Sequence, residues 1–95
     1  MAKFTHLHVH SEYSLLDGLA KIDKLFAKAL EMGMDSLALT DHGAMYGAIK
    51  FYLTALEFEM KPIIGLEAYM AARSRFDKQA NIDSDRYHLI LLAKN

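Results

Sequence analysis

The sequence predicts an α/β protein in which strands alternate with helices. Four segments have extended patterns, two helical patterns lie between the first three, and the later extended segments are almost continuously apolar. Continuous apolar strands are typical of a sheet covered on both faces. Alternating strands and helices imply parallel pairing through right-handed crossovers, either in an open sheet or in part of a (β/α) barrel. In both architectures, functional residues gather at the C-terminal ends of the strands.

The four extended segments differ in their apolar pattern. The first, Phe4 to Val9, alternates with period two, which is typical of a half-buried strand. The others are mostly or wholly apolar and cover Asp35 to Thr40, Lys61 to Met70 and Tyr87 to Ala93. The predicted element order is therefore β-α-β-α-β-β.

Each helical segment has an apolar stripe at helical spacing. Gly33 is a C-terminal stop for the first helix, and Pro62 follows the second, which runs from about Ala44 to Glu59. The stripes consist of Ile22, Leu25, Phe26, Ala29 and Leu30 in the first helix, and of Ile49, Leu53, Leu56 and Met60 in the second.

Composition excludes several classes of protein. With 95 residues and a net charge of −1, the chain is long enough for one domain and has no global attraction to nucleic acid or anionic lipid. It contains no cysteine, so disulfides and thiolate sites are impossible. No apolar run approaches the roughly 20 residues that span a bilayer. We expect a soluble cytoplasmic protein without a membrane partner.

Three histidines alternate in the first strand: His6, His8 and His10. Alternate residues share one face of a strand and start about 6.6 Å apart, so two neighbouring imidazoles can converge on one metal ion. Position favours His8 and His10, which lie nearer the C-terminal end. We expect His6 to be a buried or supporting histidine behind the ligands.

A second cluster, TDHG, follows the second predicted strand. Asp41 and His42 stand where an α/β site is expected, and Gly43 allows a close turn. The alternative for Asp41 is a cap on the following helix.

Glu67 lies late in the third strand after a run of apolar residues. A carboxylate there is costly to bury unless it is paired or binds a cation, and a carboxylate can bridge two ions. The alternative is an exposed position or a pair with Lys or Arg.

Two further candidates are ambiguous from local sequence. Asp17 is a ligand or a turn residue before Gly18, and the turn is the better local interpretation. His88 begins an apolar strand, where a hydrogen-bonded core histidine is commoner than a ligand, and the start of a strand fits the C-terminal rule poorly.

Together these residues offer nitrogen and oxygen ligands without sulfur. Such a set suits zinc, manganese or iron rather than magnesium or calcium. Two or three ions could activate a metal-bound water as the nucleophile for attack on phosphorus. The loop from Ala71 to Arg86 carries Arg73 and Arg75, and it is either a solvated surface loop or a phosphate-contacting one.

Four stretches resemble the opening of the PHP (polymerase and histidinol phosphatase) domain of the bacterial DNA polymerase III alpha subunit family: HLHVHSEYSLLDG, LALTDHG, KPIIGLEAYM and YHLILLAKN. SEYSLLDG, MYGAIKFY and HLILLAKN are specific to the polymerase branch. The resemblance implies the N-terminal part of a distorted (β/α)7 barrel that holds up to three metal ions. It places metal ligands at His8, His10, Asp17, His42, Glu67 and His88, with Asp41 beside a ligand that it orients.

A PHP domain is more than twice this length, so the resemblance implies that residues 1–95 are a partial domain whose remaining ligands lie beyond Asn95. The complete domain would be a phosphoesterase, such as a 3′–5′ proofreading exonuclease. The alternatives are a structural platform that binds the exonuclease subunit, or a separate histidinol phosphatase. Expected partners are the rest of the polymerase chain and, through it, DNA. A half-barrel with open edges should also self-associate.

Overall fold

The structure, a computed structural model, describes residues 3–14, 18–80 and 86–94. These residues form two helices and three strands in the order α1, β1, α2, β2, β3. The elements are α1 (Ile22–Glu31), β1 (Ser36–Leu39), α2 (Ala48–Glu57), β2 (Lys61–Ala71) and β3 (Arg86–Leu92). The α/β class is thus confirmed. None of the helices in the described part is long and apolar enough to cross a membrane.

The three strands form one sheet in the order β1-β2-β3. β1 and β2 are parallel, with Ser36 opposite Lys61, as the helical crossover between them requires. β3 is antiparallel to β2, with Tyr69 opposite His88. Residues 72–80, which leave β2, contain bends and turns but no helix. Antiparallel strands need no helical crossover between them.

The predicted first strand is wrong as a regular element. The segment from Phe4 to Val9 lies beside β1, where its carbonyls at His6 and Val9 accept backbone hydrogen bonds from Ala38 and Thr40. The Val9 N–H donates to the Thr40 hydroxyl at 2.9 Å and not to a backbone carbonyl. The side chain therefore replaces a ladder bond, and the described order is α-β-α-β-β.

Both helices contribute to a single hydrophobic cluster with β1. The rings of Phe26 in α1 and Phe51 in α2 have centroids 4.7 Å apart. The buried members of the cluster are Ile22, Phe26, Ala29, Met34, Leu37, Leu39, Phe51, Ala55 and Met60. Since the cluster ties both helices to β1, it fixes the end of β1 at which Asp41 and His42 stand.

Helix α1 ends just before Gly33 (φ 82°), as predicted, and four of its five stripe residues are buried or half-buried, whereas Leu30 is 53% exposed. The apolar stripe of α2 is only partly right. Ile49 is 74% exposed and Leu53 and Leu56 are also exposed, whereas Phe51 and Ala55 are buried. Because α2 is apolar on more than one side, its stripe alone does not identify the face that packs on the sheet.

Candidate metal centre

Glu67 lies at the centre of the candidate site and is only 3% exposed. Its backbone is fixed on both sides, because its N–H donates to the Asp41 carbonyl and its own carbonyl accepts from the Gly43 N–H, both at 3.0 Å. This pairing continues the register of β1 and β2 beyond β1. The Glu67 side chain is thereby placed at the C-terminal end of the parallel pair, as an α/β site requires.

Four imidazoles converge on the two oxygens of Glu67. The Nε2 atoms of His8 and His10 lie 2.5 and 2.9 Å from Oε1. The Nδ1 atoms of His42 and His88 lie 3.0 and 2.5 Å from Oε2. The carboxylate thus divides the histidines into two pairs, one on each oxygen.

The charge of Glu67 reflects a competition between burial and these contacts. Burial would raise the pKa of the carboxyl, but hydrogen bonds from His10, His88 and His8, together with the charge of His42, outweigh it and lower the pKa to about 2. Glu67 is therefore ionised at neutral pH, the state in which a carboxylate can bind a cation.

His88 reaches the site because β3 runs antiparallel. The start of an antiparallel strand lies at the same edge as the C-terminal ends of the parallel strands. In this register Ile90 is opposite Glu67, so His88, two residues earlier, is on the same face. The expectation that the start of a strand lies away from the site is therefore wrong for His88.

Three consecutive residues after β1 hold the segment that carries His8 and His10. The Thr40 hydroxyl accepts from the Val9 N–H at 2.9 Å. Asp41 accepts from the N–H and the hydroxyl of Ser11 at 2.6 and 2.8 Å. These contacts fix the backbone on both sides of His10.

His42, the third of these residues, donates a hydrogen bond to the N-terminal segment instead of accepting one from it. The His42 N–H donates to the Ser14 hydroxyl at 3.0 Å, so this loop also fixes the backbone of His42. Asp41 does not cap α2, whose N-cap residue is Gly47 without a side-chain cap, and that alternative is wrong. Sequence reasoning missed Ser11 and Ser14, since a serine in a turn carries no distinctive signal.

Other predicted residues lie outside this cluster. His6 is exposed and its ring meets Phe4 edge to face at 4.9 Å, so the expectation that it is buried is wrong. Arg73 and Arg75 are exposed on the loop after β2, and the Arg75 guanidinium lies 4.6 Å from the ring centre of Phe76. Asp17 lies outside the described residues.

An aromatic residue that the sequence analysis did not single out stands beside the histidines. Tyr69 is 44% exposed, and its ring centre lies 6.2 Å from that of His42 and 5.3 Å from that of His88. Gly43, at φ 61°, passes beneath it: a Cβ at Gly43 would come within 2.7 Å of the Tyr69 ring. Arg86 places its guanidinium carbon 4.9 Å from the Tyr69 ring centre.

The donor set fits divalent transition ions. His8, His10 and Glu67 form one group and His42, Glu67 and His88 a second, and the donor atoms of each group lie within 4.8 Å of one another. Ligands with bonds of about 2.0–2.2 Å to one ion lie on this scale. Imidazole nitrogens with a carboxylate and no thiolate are the ligands of zinc, manganese and iron.

Comparison with known sequences places the chain in a family. The sequence pattern of the PHP domain matches residues 6–95. This chain belongs to the PHP domain family. The match includes every residue of the two candidate metal groups.

Relatives of this PHP chain are proteins called DNA polymerase III subunit alpha. The chain is 58% identical over 95 residues to the one from Borreliella burgdorferi, with 99% of the chain covered. It is 50% identical over 95 residues to that from Campylobacter jejuni, with full coverage. It is 45% identical over 98 residues to that from Aquifex aeolicus, with 97% of the chain covered. In each case the match spans only 8% of the relative's own length.

Proposed function

We propose that these residues are the first part of a PHP domain in a DNA polymerase III alpha subunit, and that the complete domain is a metal-dependent phosphoesterase. The identity of 58% to a protein with that name supports the parent protein. The parallel β1-α2-β2 unit is compatible with the proposed (β/α)7 barrel, since such barrels are built from units of this kind. A cytoplasmic location remains a prediction from the sequence.

The observation that carries the proposal is the buried Glu67 carboxylate with two imidazoles on each oxygen. A metal-free site of this kind would place one negative charge among four rings at 2.5 to 3.0 Å. These imidazoles and the carboxylate would hold divalent ions, whose positive charge would balance the Glu67 carboxylate. We assign His8, His10 and Glu67 to one ion, and His42, Glu67 and His88 to the second.

The residues of this chain would hold and orient the ions. Glu67 would bridge, and Asp41 and Ser11 would keep His10 in place through the loop backbone. Asp17, the remaining predicted ligand, would complete the set from the turn before Gly18. Zinc or manganese, or iron, would supply Lewis-acid activation of water and stabilisation of negative charge on phosphorus.

In the parent protein, the reaction we favour is 3′–5′ exonucleolytic removal of a nucleotide during proofreading. Hydrolysis of a phosphodiester suits a site with two or more ions, because one ion can stabilise the attacking oxygen and another the leaving oxygen. Polymerisation of DNA would be carried out by other parts of the polymerase chain. That chain and, through it, DNA are the proposed partners.

A second candidate function is structural. The four rings come from the N-terminal segment, the end of β1 and β3, so bound ions would tie three parts of the fold together. In that case the domain would stabilise the polymerase and bind a separate exonuclease subunit. A separate histidinol phosphatase is less consistent with the relatives, which are called polymerase subunits.

The test is metal analysis together with a nuclease assay on the full-length protein. We expect the wild type to contain zinc, manganese or iron and to degrade a 3′ end, and the His8→Ala/His10→Ala variant to lose both properties. His6→Ala is the matched control, since His6 is on the same segment but its ring contacts Phe4, whereas the His8 ring contacts Glu67. Absence of metal from the wild type would refute the site. Loss of metal with full retention of nuclease activity would leave the structural function.

A further inference from the structure

We propose that Arg86, held against Tyr69, binds the phosphoryl group of the substrate beside the metal ions. The inference rests on the proposed phosphoesterase function and names the residue that receives the anionic part of the ester. Neither Arg86 nor Tyr69 belongs to the predicted ligand set, and the sequence offers Arg73 and Arg75 as phosphate contacts only as the alternative to a solvated surface loop.

The sheet register places Arg86 on the face that carries Glu67. In the β2–β3 pair, Ala71 is opposite Arg86 and Glu67 is opposite Ile90. Side chains alternate along a strand, so Arg86 and His88 point to the same face as Glu67. Arg86 thus lies four residues before Ile90, the residue opposite Glu67.

Tyr69 connects Arg86 to the metal site. Its ring lies 5.3 Å from the His88 ring and 6.2 Å from the His42 ring, centre to centre, and Arg86 lies over it at 4.9 Å. A cation over an aromatic face is attracted by the electrons of the ring. The stack holds Arg86 beside two of the proposed ligands.

The geometry of guanidinium suits a phosphoryl group. A guanidinium that lies over a ring can keep its edge N–H groups available, in the fork that binds phosphate oxygens bidentately. Tyr69 and Arg86 are both accessible to a ligand, because Tyr69 is half-exposed and Arg86 is exposed. Divalent ions held at Glu67 would add further attraction for an anion.

A matched control exists in the same chain. Arg75 also lies over an aromatic ring, that of Phe76, at 4.6 Å, but it is on the loop after β2. It has the same charge and, like Arg86, places its guanidinium carbon within 5 Å of an aromatic ring centre. If general positive charge accounted for phosphate binding, Arg75 would contribute as much as Arg86.

The experiment measures binding of inorganic phosphate to the metal-loaded full-length protein by calorimetry, with metal content determined for each variant. We expect Arg86→Ala to weaken phosphate binding by about tenfold or more, the scale of a lost charge-assisted hydrogen-bonded pair, with unchanged metal content. Arg86→Lys should restore part of the affinity. Tyr69→Leu should weaken binding and Tyr69→Phe should not, because the ring and not the hydroxyl supports Arg86. Arg75→Ala should bind as the wild type does.

Three results would overturn the inference, and they differ in what else they affect. Equal phosphate affinity in the wild type and Arg86→Ala, both with full metal content, would refute the role of Arg86 and leave the proposed function intact. Loss of metal from Arg86→Ala would show that Arg86 supports the metal site. A wild type that takes up no metal would refute the proposed function, and this inference with it.

Discussion

Asp41 is a buried carboxylate that affects the candidate site without facing Glu67. It is 1% exposed, and its two oxygens accept hydrogen bonds from the N–H and the hydroxyl of Ser11. Because Ser11 directly follows His10, these bonds fix the backbone next to the His10 imidazole. Groups that orient metal ligands in this way commonly change metal affinity by about 10- to 100-fold when they are removed.

We therefore expect Asp41→Ala to lower metal affinity by about 10- to 100-fold in the full-length protein. Ser11→Ala should have a smaller effect, because the backbone bond from the Ser11 N–H to Asp41 remains. Competition with a chelator would measure both. Asp35→Ala is the control, since Asp35 is an exposed aspartate whose partner is Lys3. Unchanged affinity in Asp41→Ala would assign Asp41 to stability alone.

At the scale of elements, helices were more predictable than the interactions between segments. The limits of α1 follow from a local stripe and a glycine stop, both of which are encoded within a few residues. The metal candidates His8, His10, His42 and Glu67 also carry local signals. By contrast, three features depend on partners that are distant in sequence. They are the packed face of α2, the hydrogen bond of the Thr40 side chain that replaces a ladder bond, and the direction of β3.

His88 shows the same limit at the candidate site. Its local pattern favours a core histidine, and only the antiparallel register of β2 and β3 brings it to Glu67. Ser11 and Arg86 are similar cases: their contacts join segments that periodicity treats separately. The resemblance to the PHP domain predicts a ligand at His88 because it includes the long-range arrangement that local reasoning lacks.

The packing of α2 can be tested with two substitutions in its first turn, at positions that lie on different sides of the helix. We expect Phe51→Ala to lower the free energy of unfolding by about 3–5 kcal/mol, because Phe51 is fully buried against Phe26. Ile49→Ala should change it by about 0.5 kcal/mol or less, since Ile49 is mostly exposed. Urea unfolding of the complete PHP domain would measure both. A large cost for Ile49→Ala would show that this side of α2 is buried in the domain, contrary to the observed exposure of Ile49.

At the scale of the whole molecule, the helices leave part of the sheet uncovered. Ile64 packs against the hydrophobic cluster, and the same face continues along β2 to Met70 and across to β3. There Tyr87, Leu89 and Leu91 are 65%, 42% and 49% exposed. A contiguous apolar surface on a sheet favours association with another surface of the same kind.

We expect the isolated 95-residue chain to self-associate through this face, as the sequence already predicted for a half-barrel. Size-exclusion chromatography with light scattering should give a mass above that of one chain, and Leu89→Lys/Leu91→Lys should shift it toward a monomer, because two charges would have to be buried in the contact. Ile49→Lys/Leu53→Lys is the matched control on the exposed side of α2. If that control, and not the β3 variant, dissociates the assembly, the contact lies on α2; a wild type that is strictly monomeric would contradict self-association by either face.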